Sequence, residues 1–306
     1  MSTGVLLMAY GTPETGEQVA PYFTHIRGGR APTAEAVERL RRRYEQVGGR
    51  TPLLDITNRV RDGLEQSLAA KTNGMAPYRV YVGMKHWHPF IGDVLPRMAT
   101  DGVTEVVAVA LAPHYSRMSI GGYRKAVDDA AARLSPSPTI RFVDSWHLHP
   151  QFIQLLADGV REALGAWNAS TRAQVVTVFS AHSLPVRIRE WDDPYERQLA
   201  ASCEAVAERA GLDNWRWAWQ SAGDTGEPWL GPDIVSVLDT LHEQGTRHVL
   251  SVPIGFVSDH LEVLYDIDHE AKERAAALGM TLRRTRMPNA DPAFIETLAS
   301  VVAEAG

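Results

Sequence analysis

A chain of 306 residues, 44% hydrophobic and 22% charged, has the composition of a globular protein; it is longer than one hydrophobic core usually fills, so two domains of about 150 residues are expected. The 37 acidic residues against 31 basic ones give a net charge of −6, which offers no general attraction to a polyanion and argues against a nucleic-acid partner. A single cysteine, Cys203, excludes an intrachain disulfide, a thiolate zinc site or an iron-sulfur cluster assembled from this chain alone.

The N-terminal stretch MSTGVLLMAYGTP has no basic leader, and its apolar run is too short for a signal peptide or a membrane span. A cytoplasmic protein without stable membrane association is therefore expected. Short apolar, β-rich runs then alternate with amphipathic helical patterns, the signature of βαβ units around parallel sheets and of an α/β fold. The expected strands are Gly4 to Tyr10, Arg79 to Met84, Val103 to Leu111, Ile140 to Ser145, Gln174 to Ser180, Trp215 to Gln220 and His248 to Pro253. Helical patterns lie between them at Ala34 to Val47, Thr57 to Ala70, Ile120 to Leu134, Gln151 to Leu164, Pro194 to Ala210, Pro232 to Glu243 and Leu261 to Leu278. A boundary in SWHLHP divides an early from a late group of strands, and a closing helix, Pro292 to Ala305, can return to the first half. The expected domains are 1–145 plus 286–306, and 146–285.

The first strand ends in Tyr10-Gly11-Thr12-Pro13, a turn that leaves Tyr10 at the sheet edge, either available to a ligand or packed at the rim. Arginines crowd HIRGGR and RLRRRYEQVGGR. Arg39, Arg41 and Arg42 read as a solvated helix face, whereas Arg27, Arg30 and Arg43, at helix ends and glycine turns, are candidates to grip carboxylates with the bidentate guanidinium fork. His86 and His88 in MKHWHP are candidate metal ligands or plain hydrogen-bonding residues, and LAPHYS places His114 and Tyr115 at another strand end. After the strand VVTVF comes Ser180-Ala181-His182-Ser183-Leu184-Pro185. Neighbours on extended chain point to opposite sides, and no Gly-x-Ser-x-Gly elbow is present, so His182 fits a proton acceptor better than half of a hydrolytic pair.

The stretch IGFVSDHLEVLYDIDHEAK follows the apolar run HVLSVP and sets Glu262, Asp266 and Glu270 four residues apart. On an α-helix that spacing makes a slanted row about 12 Å long. An ordinary solvated acidic face is one reading. The other starts from Ser258, Asp259 and His260 at the head of the row: a strand emptying into a helix of oxygen and imidazole donors resembles the carboxyl edge of an α/β sheet, where the row leads a divalent cation or protons into a pocket.

In order along nearly the whole chain, MAYGTP, THIRGGR, RYEQVGG, GMKHWHPF, LAPHYS, SAHSLP, WQSAG, PWLGPD, PIGF, HLEVLYD and MPNADPAF resemble the ferrochelatases, in particular the type of Gram-positive bacteria that metallates coproporphyrin III. The resemblance implies two Rossmann-like domains, each a parallel four-stranded sheet flanked by helices, with an active-site cleft between them. It implies insertion of ferrous iron into coproporphyrin III in haem biosynthesis, giving iron coproporphyrin and two protons. Fe2+ is then a substrate; no permanently bound cofactor and no iron-sulfur cluster are expected. By the same resemblance His182 and Glu262 are catalytic and metal-binding residues facing each other across the porphyrin. Asp266 and Glu270 continue as a proton or metal path on a helix widened by a π-type turn. Tyr10 lies on the opposite porphyrin face, and Arg27, Arg43, Tyr44, Thr51 and Tyr123 hold the substrate carboxylates. Thr51 stands where relatives often have serine, and His88 where an acidic residue is common. The implied partners are coproporphyrin III, Fe2+ and a downstream haem-pathway enzyme that accepts the product. A chelatase for another metal or tetrapyrrole, and a two-domain haem or anion carrier without turnover, are the competing readings.

Overall fold

The computed structural model describes residues 3–71 and 78–306, and the chain forms two compact units. The first takes in the chain up to Trp146 and recovers Asn289–Gly306; the second is His147–Pro288. Both junctions fall slightly later in the chain than the sequence suggests. Trp146 stays with the first unit because its indole N–H donates to the carbonyl of Ala110 at 3.2 Å and its ring lies 6.0 Å from that of Phe294.

In the first unit the strands β1 (Thr3–Ala9), β2 (Arg79–Met84), β3 (Glu105–Ala110) and β4 (Thr139–Val143) are parallel and lie in the order β2-β1-β3-β4. Strands covered on both faces need unbroken apolar sequence, and Val5, Leu6, Leu7 and Met8 are fully buried. The helices are α1 (Val19–Ile26), α2 (Ala34–Gln46), α3 (Leu53–Lys71), α4 (Ile91–Thr100) and α5 (Ile120–Ala131). Leu95 and Met98 of α4 and Ile120 and Val127 of α5 close one face over Leu6, Met8, Val106 and Ala108.

The second unit repeats this order with β5 (Val176–His182), β6 (Trp215–Gln220), β7 (His248–Val252) and β8 (Thr281–Arg284), parallel and arranged β6-β5-β7-β8. Its helices are α6 (Pro150–Gly165), α7 (Ala169–Arg172), α8 (Tyr195–Ala210), α9 (Ile234–Glu243) and α10 (Lys272–Ala277), with a π-helix, Val263–Ala271, running directly into α10. The last helix, α11 (Pro292–Ala305), packs on α3 of the first unit, where Gly63 leaves room for Ile295.

Several expectations are corrected. The fifth strand runs on to His182, so this residue ends the strand instead of sitting in the loop after it. The helix expected at Leu261 to Leu278 is not α-helical throughout: nine of its residues carry the wider π geometry, whose hydrogen bonds reach five residues instead of four, a widening that the family resemblance already implies. α1, α4, the four-residue α7 and β8 have no counterpart among the expected elements. The helices are short, α1 and α4 contain Pro21 and Pro96, and β8 is a four-residue edge strand rich in arginine.

Candidate active site

In each sheet the chain order reverses between the two central strands, β1 and β3 in the first unit and β5 and β7 in the second. Such switch points open a crevice at the carboxyl ends of the strands. In the second unit His182 ends β5, and the chain leaving β7 crosses beside it. Gly255 is required there: a Cβ would lie 2.6 Å from the Cβ of Ala181 and 2.9 Å from its Cα. The Gly255 amide donates to the carbonyl of Ser180 at 3.2 Å, which fastens this crossing to β5.

His182 is held on three sides. Its Nδ1 lies 2.5 Å from the carbonyl of Ser183 and so carries the ring proton, leaving the Nε2 lone pair free of that bond. Tyr195 of α8 donates its hydroxyl to the carbonyl of His182 at 3.0 Å, and the Trp229 ring lies 6.4 Å away. Burial pushes the imidazole pKa below its ordinary value, and His260 adds to that; Glu262 and the Ser183 carbonyl pull the other way without reversing it. The ring is therefore neutral near pH 7, with a basic nitrogen available.

Glu262 is half-buried, and its ion-pair contact is with His260: Nε2 of His260 lies 3.1 Å from Oε2 of Glu262, while Nδ1 lies 2.8 Å from the carbonyl of Ser258. Both ring nitrogens face oxygen acceptors, so the contact with Glu262 is a hydrogen bond only when one proton sits between them. From Glu262 the three carboxylates do not form one uniform row. Asp266 is buried and accepts a short hydrogen bond from Ser221, and Glu270 is exposed. Ser221 adopts a left-handed φ of 62°, a conformation costing about 1 kcal/mol or more outside glycine, which places its hydroxyl against Asp266. Gln220 links the layers, accepting from Ser180 Oγ at 2.8 Å and donating to the backbone carbonyl of Glu262 at 3.0 Å. Asp259 is paired with Arg284 through one carboxylate oxygen at 3.0 Å.

The first unit gathers a different chemistry. Tyr10, 37% exposed, follows β1, and the backbone pairing continues past it: Lys85 N–H donates to Ala9 at 2.9 Å and His86 N–H to Tyr10 at 2.8 Å. Nζ of Lys85 lies 5.9 Å from the ring centre of Tyr10 and 5.1 Å from that of Tyr123, in cation–π range. A Cβ on Gly122 would come within 2.5 Å of this ammonium, so glycine makes its space. Burial lowers the pKa of Lys85 to about 8. His86, whose ring lies 4.5 Å from Tyr10, shares a 3.2 Å Nδ1–Nδ1 contact with His25. Burial, then the charge of Lys85, then His25 hold His86 neutral with a pKa of about 3, so one neutral ring donates to the other.

Close by in sequence, the hydroxyl of Thr12 lies 2.9 Å from Thr51 Oγ1 and 3.3 Å from the Tyr44 hydroxyl, a buried group of three hydroxyls. Tyr44 and Thr51 are thus brought together, and Tyr10 and Tyr123 share Lys85. Arg27 and Arg43 are exposed at the ends of α1 and α2, and Arg27 lies over its own helix neighbour Phe23 at 5.9 Å. His88 is exposed and packs 4.4 Å from the Phe90 ring. Sequence reasoning did not single out Lys85 or the Thr12 hydroxyl as site residues; Lys85 was hidden by the histidines beside it. Among the described residues no group of three or more His, Cys, Asp or Glu is disposed to hold a metal ion, and no helix is long and apolar enough to cross a membrane.

The ferrochelatase family model matches residues 2–306. A ferrochelatase of Herpetosiphon aurantiacus is 49% identical over 300 residues, covering 98% of both chains. The coproporphyrin III ferrochelatase of Oceanobacillus iheyensis is 42% identical over 98% of this chain and 95% of its own, and that of Bacillus subtilis 43% over 98% and 96%. Among solved structures, SirB from Bacillus subtilis with Fe3+ superimposes with a TM-score of 0.61 at 11% identity, covering 100% of this chain and 96% of its own. A multi-domain Deinococcus radiodurans protein described as structurally similar to chelatases gives 0.51 at 14% identity, covering 100% of this chain and 55% of its own.

Proposed function

The chain belongs to the ferrochelatase family, enzymes that insert a metal into a porphyrin, and from that membership we propose that its substrates are coproporphyrin III and ferrous iron. The names of the relatives from Oceanobacillus and Bacillus support this choice of porphyrin, and so does the chemistry of the first unit. Four carboxylates need cations and hydroxyl donors. Lys85, Arg27, Arg43 and the hydroxyls of Tyr44, Thr51 and Tyr123 supply them, with charge-assisted bonds as the strongest contributors.

The observation that carries the mechanism is His182: its Nδ1 proton is committed to Ser183, so Nε2 is the acceptor. Metallation replaces two pyrrole N–H bonds by bonds to iron, and two protons leave. In this reading His182 Nε2 accepts a pyrrole proton, and the Glu262 carboxylate, coupled to His260, accepts a proton or takes the incoming cation from its water shell. Asp266 and Glu270 continue from Glu262 through a buried to an exposed carboxylate, an outlet for protons or an inlet for the ion. Tyr10 offers its phenol oxygen to the other face of the ring. Carboxylate binding at the first unit contributes energy that can be used to bend the macrocycle and expose a pyrrole nitrogen.

The test is anaerobic mixing of catalytic amounts of protein with Fe2+ and either coproporphyrin III or protoporphyrin IX, followed by loss of porphyrin fluorescence. Coproporphyrin should be consumed over many turnovers and faster than protoporphyrin; the reverse order overturns the choice of porphyrin. His182→Ala should still bind porphyrin and lose about 10² to 10⁴ in rate.

A further inference from the structure

Arg284, the last residue of β8, lies outside every motif that carries the family resemblance, yet its guanidinium makes four hydrogen bonds, three of them to the aspartates that flank His260 and Glu262 in sequence. Nε and Nη2 form a fork on Asp268, at 2.8 and 2.7 Å, and Nη2 also reaches Asp259 at 3.0 Å. Nη1 donates to the carbonyl of Thr285 at 3.1 Å. The side chain is 15% exposed. Asp259 precedes His260, and Asp268 lies inside the π-helix, so one cation fastens both ends of the segment that contains His260 and Glu262.

The placement is not explained by stability alone. Two carboxylates around one guanidinium leave a net negative charge in a largely dehydrated place, and such clusters are often matched or exceeded in stability by apolar side chains of similar volume. The feature that does need fixing is the helix. A nine-residue π-helix is rare, and wide turns of this kind concentrate at functional sites. It is tethered from both edges of the sheet: from β6 by Gln220 on the Glu262 carbonyl and by Ser221 on Asp266, and from β8 by Arg284 on Asp268 and Asp259. The Arg284 tether spans the π-helix and the loop before it.

We propose that Arg284 is a positioning residue for metal insertion, holding the wide helix and the Asp259 loop in the register that sets the His260–Glu262 pair beside His182. This inference rests on the assignment of His182 and Glu262 as the reacting groups.

Arg284→Met, Arg284→Lys and Asp268→Asn are compared with Arg283→Met, whose parent residue lies over the Trp167 ring and bonds the Ala166 carbonyl. Arg284→Met should lower kcat by about tenfold to a hundredfold, the scale of a misplaced reacting group, with KM for the porphyrin within about twofold of the parent. Arg284→Lys should recover part of the loss, because an ammonium serves one carboxylate well but not the fork. Arg283→Met should leave kcat unchanged. The proposal is overturned if Arg284→Met keeps the parental kcat, or if its loss appears in porphyrin KM alone. Should Arg284→Met fail to fold, Asp268→Asn decides: a lowered kcat in a natively folded variant supports the tether, and a parental kcat overturns it. His182→Ala in the same assay separates the two assignments. Turnover in that variant removes the reacting groups themselves, whereas an inactive His182→Ala with a normal Arg284→Met removes only the tether.

Discussion

The hydroxyl of Tyr195 donates to the backbone carbonyl of His182 at 3.0 Å, so a helix of the second unit fixes the main chain of the residue proposed to take the pyrrole proton. Burial pushes the phenol pKa up, which keeps the donor protonated at every working pH. Tyr195→Phe keeps the ring and removes one buried hydrogen bond. It should cost about 1 to 2 kcal/mol of stability, read from denaturant unfolding, and slow turnover a few-fold with porphyrin KM unchanged. Parental stability together with a parental rate would show that the bond fixes nothing.

The pH profile follows from the direction of the His182 shift. Its folded pKa lies below the ordinary imidazole value, chiefly through burial, so the basic form persists at acidities where a free histidine is already protonated. The acid limb of kcat/KM should therefore fall below about pH 6.5, with activity lost as the pH drops further. His182→Ala should remove that limb along with most of the rate. An acid limb above neutrality would mean that another group is the acceptor.

Lys85 sets function against stability. Unfolded, a lysine titrates near 10.5; folded, this one is lowered to about 8 by burial. Between those values the unfolded chain holds the extra proton, so stability rises with pH in that window, and below it the folded protein bears the full cost of a buried charge. Lys85→Met should accordingly stabilise the protein at pH 7 by about 1 to 3 kcal/mol, an advantage that shrinks from about pH 8 upward. It should also weaken porphyrin binding in a fluorescence titration. A destabilised variant at pH 7 would contradict the burial account.

Along the carboxylates the two ends differ. Asp266 is buried against Ser221, whereas Glu270 is exposed. Asp266→Asn should slow metallation by about tenfold, less than loss of a general base, and Glu270→Gln should slow it less than Asp266→Asn. Stopped-flow metallation with Fe2+ and Zn2+ reads both. Equal effects would return the carboxylates to the status of a solvated face.

The parallel sheets were legible because strands buried on both faces must be apolar, and VLLMA and VVTVF are. His182 and Glu262 were legible for a related reason, since each stands at or soon after the end of such a run. β8 was not: an edge strand exposed on one side tolerates TLRR, which reads as surface sequence. Arg284 was lost with it, because a half-buried arginine is recognised by the two aspartates it meets and not by its neighbours in the chain. Four-residue spacing located Asp266 and Glu270 but assigned them equal standing. Their different burial comes from the π geometry and from Ser221, an element and a backbone angle that spacing does not encode. Lys85 was overlooked because its environment is made by Tyr10, Tyr123 and the missing side chain of Gly122, all distant in sequence.

The two sheets share one strand order, yet their carboxyl edges gather different groups, hydroxyls, an ammonium and neutral imidazoles at one, imidazole and carboxylates at the other. On the proposed assignment, ring recognition and proton handling are written on separate stretches of chain. If that assignment holds, substitutions in the first stretch should change which side groups a macrocycle must carry while sparing the groups that take its protons, and substitutions in the second should change the preference for the ion.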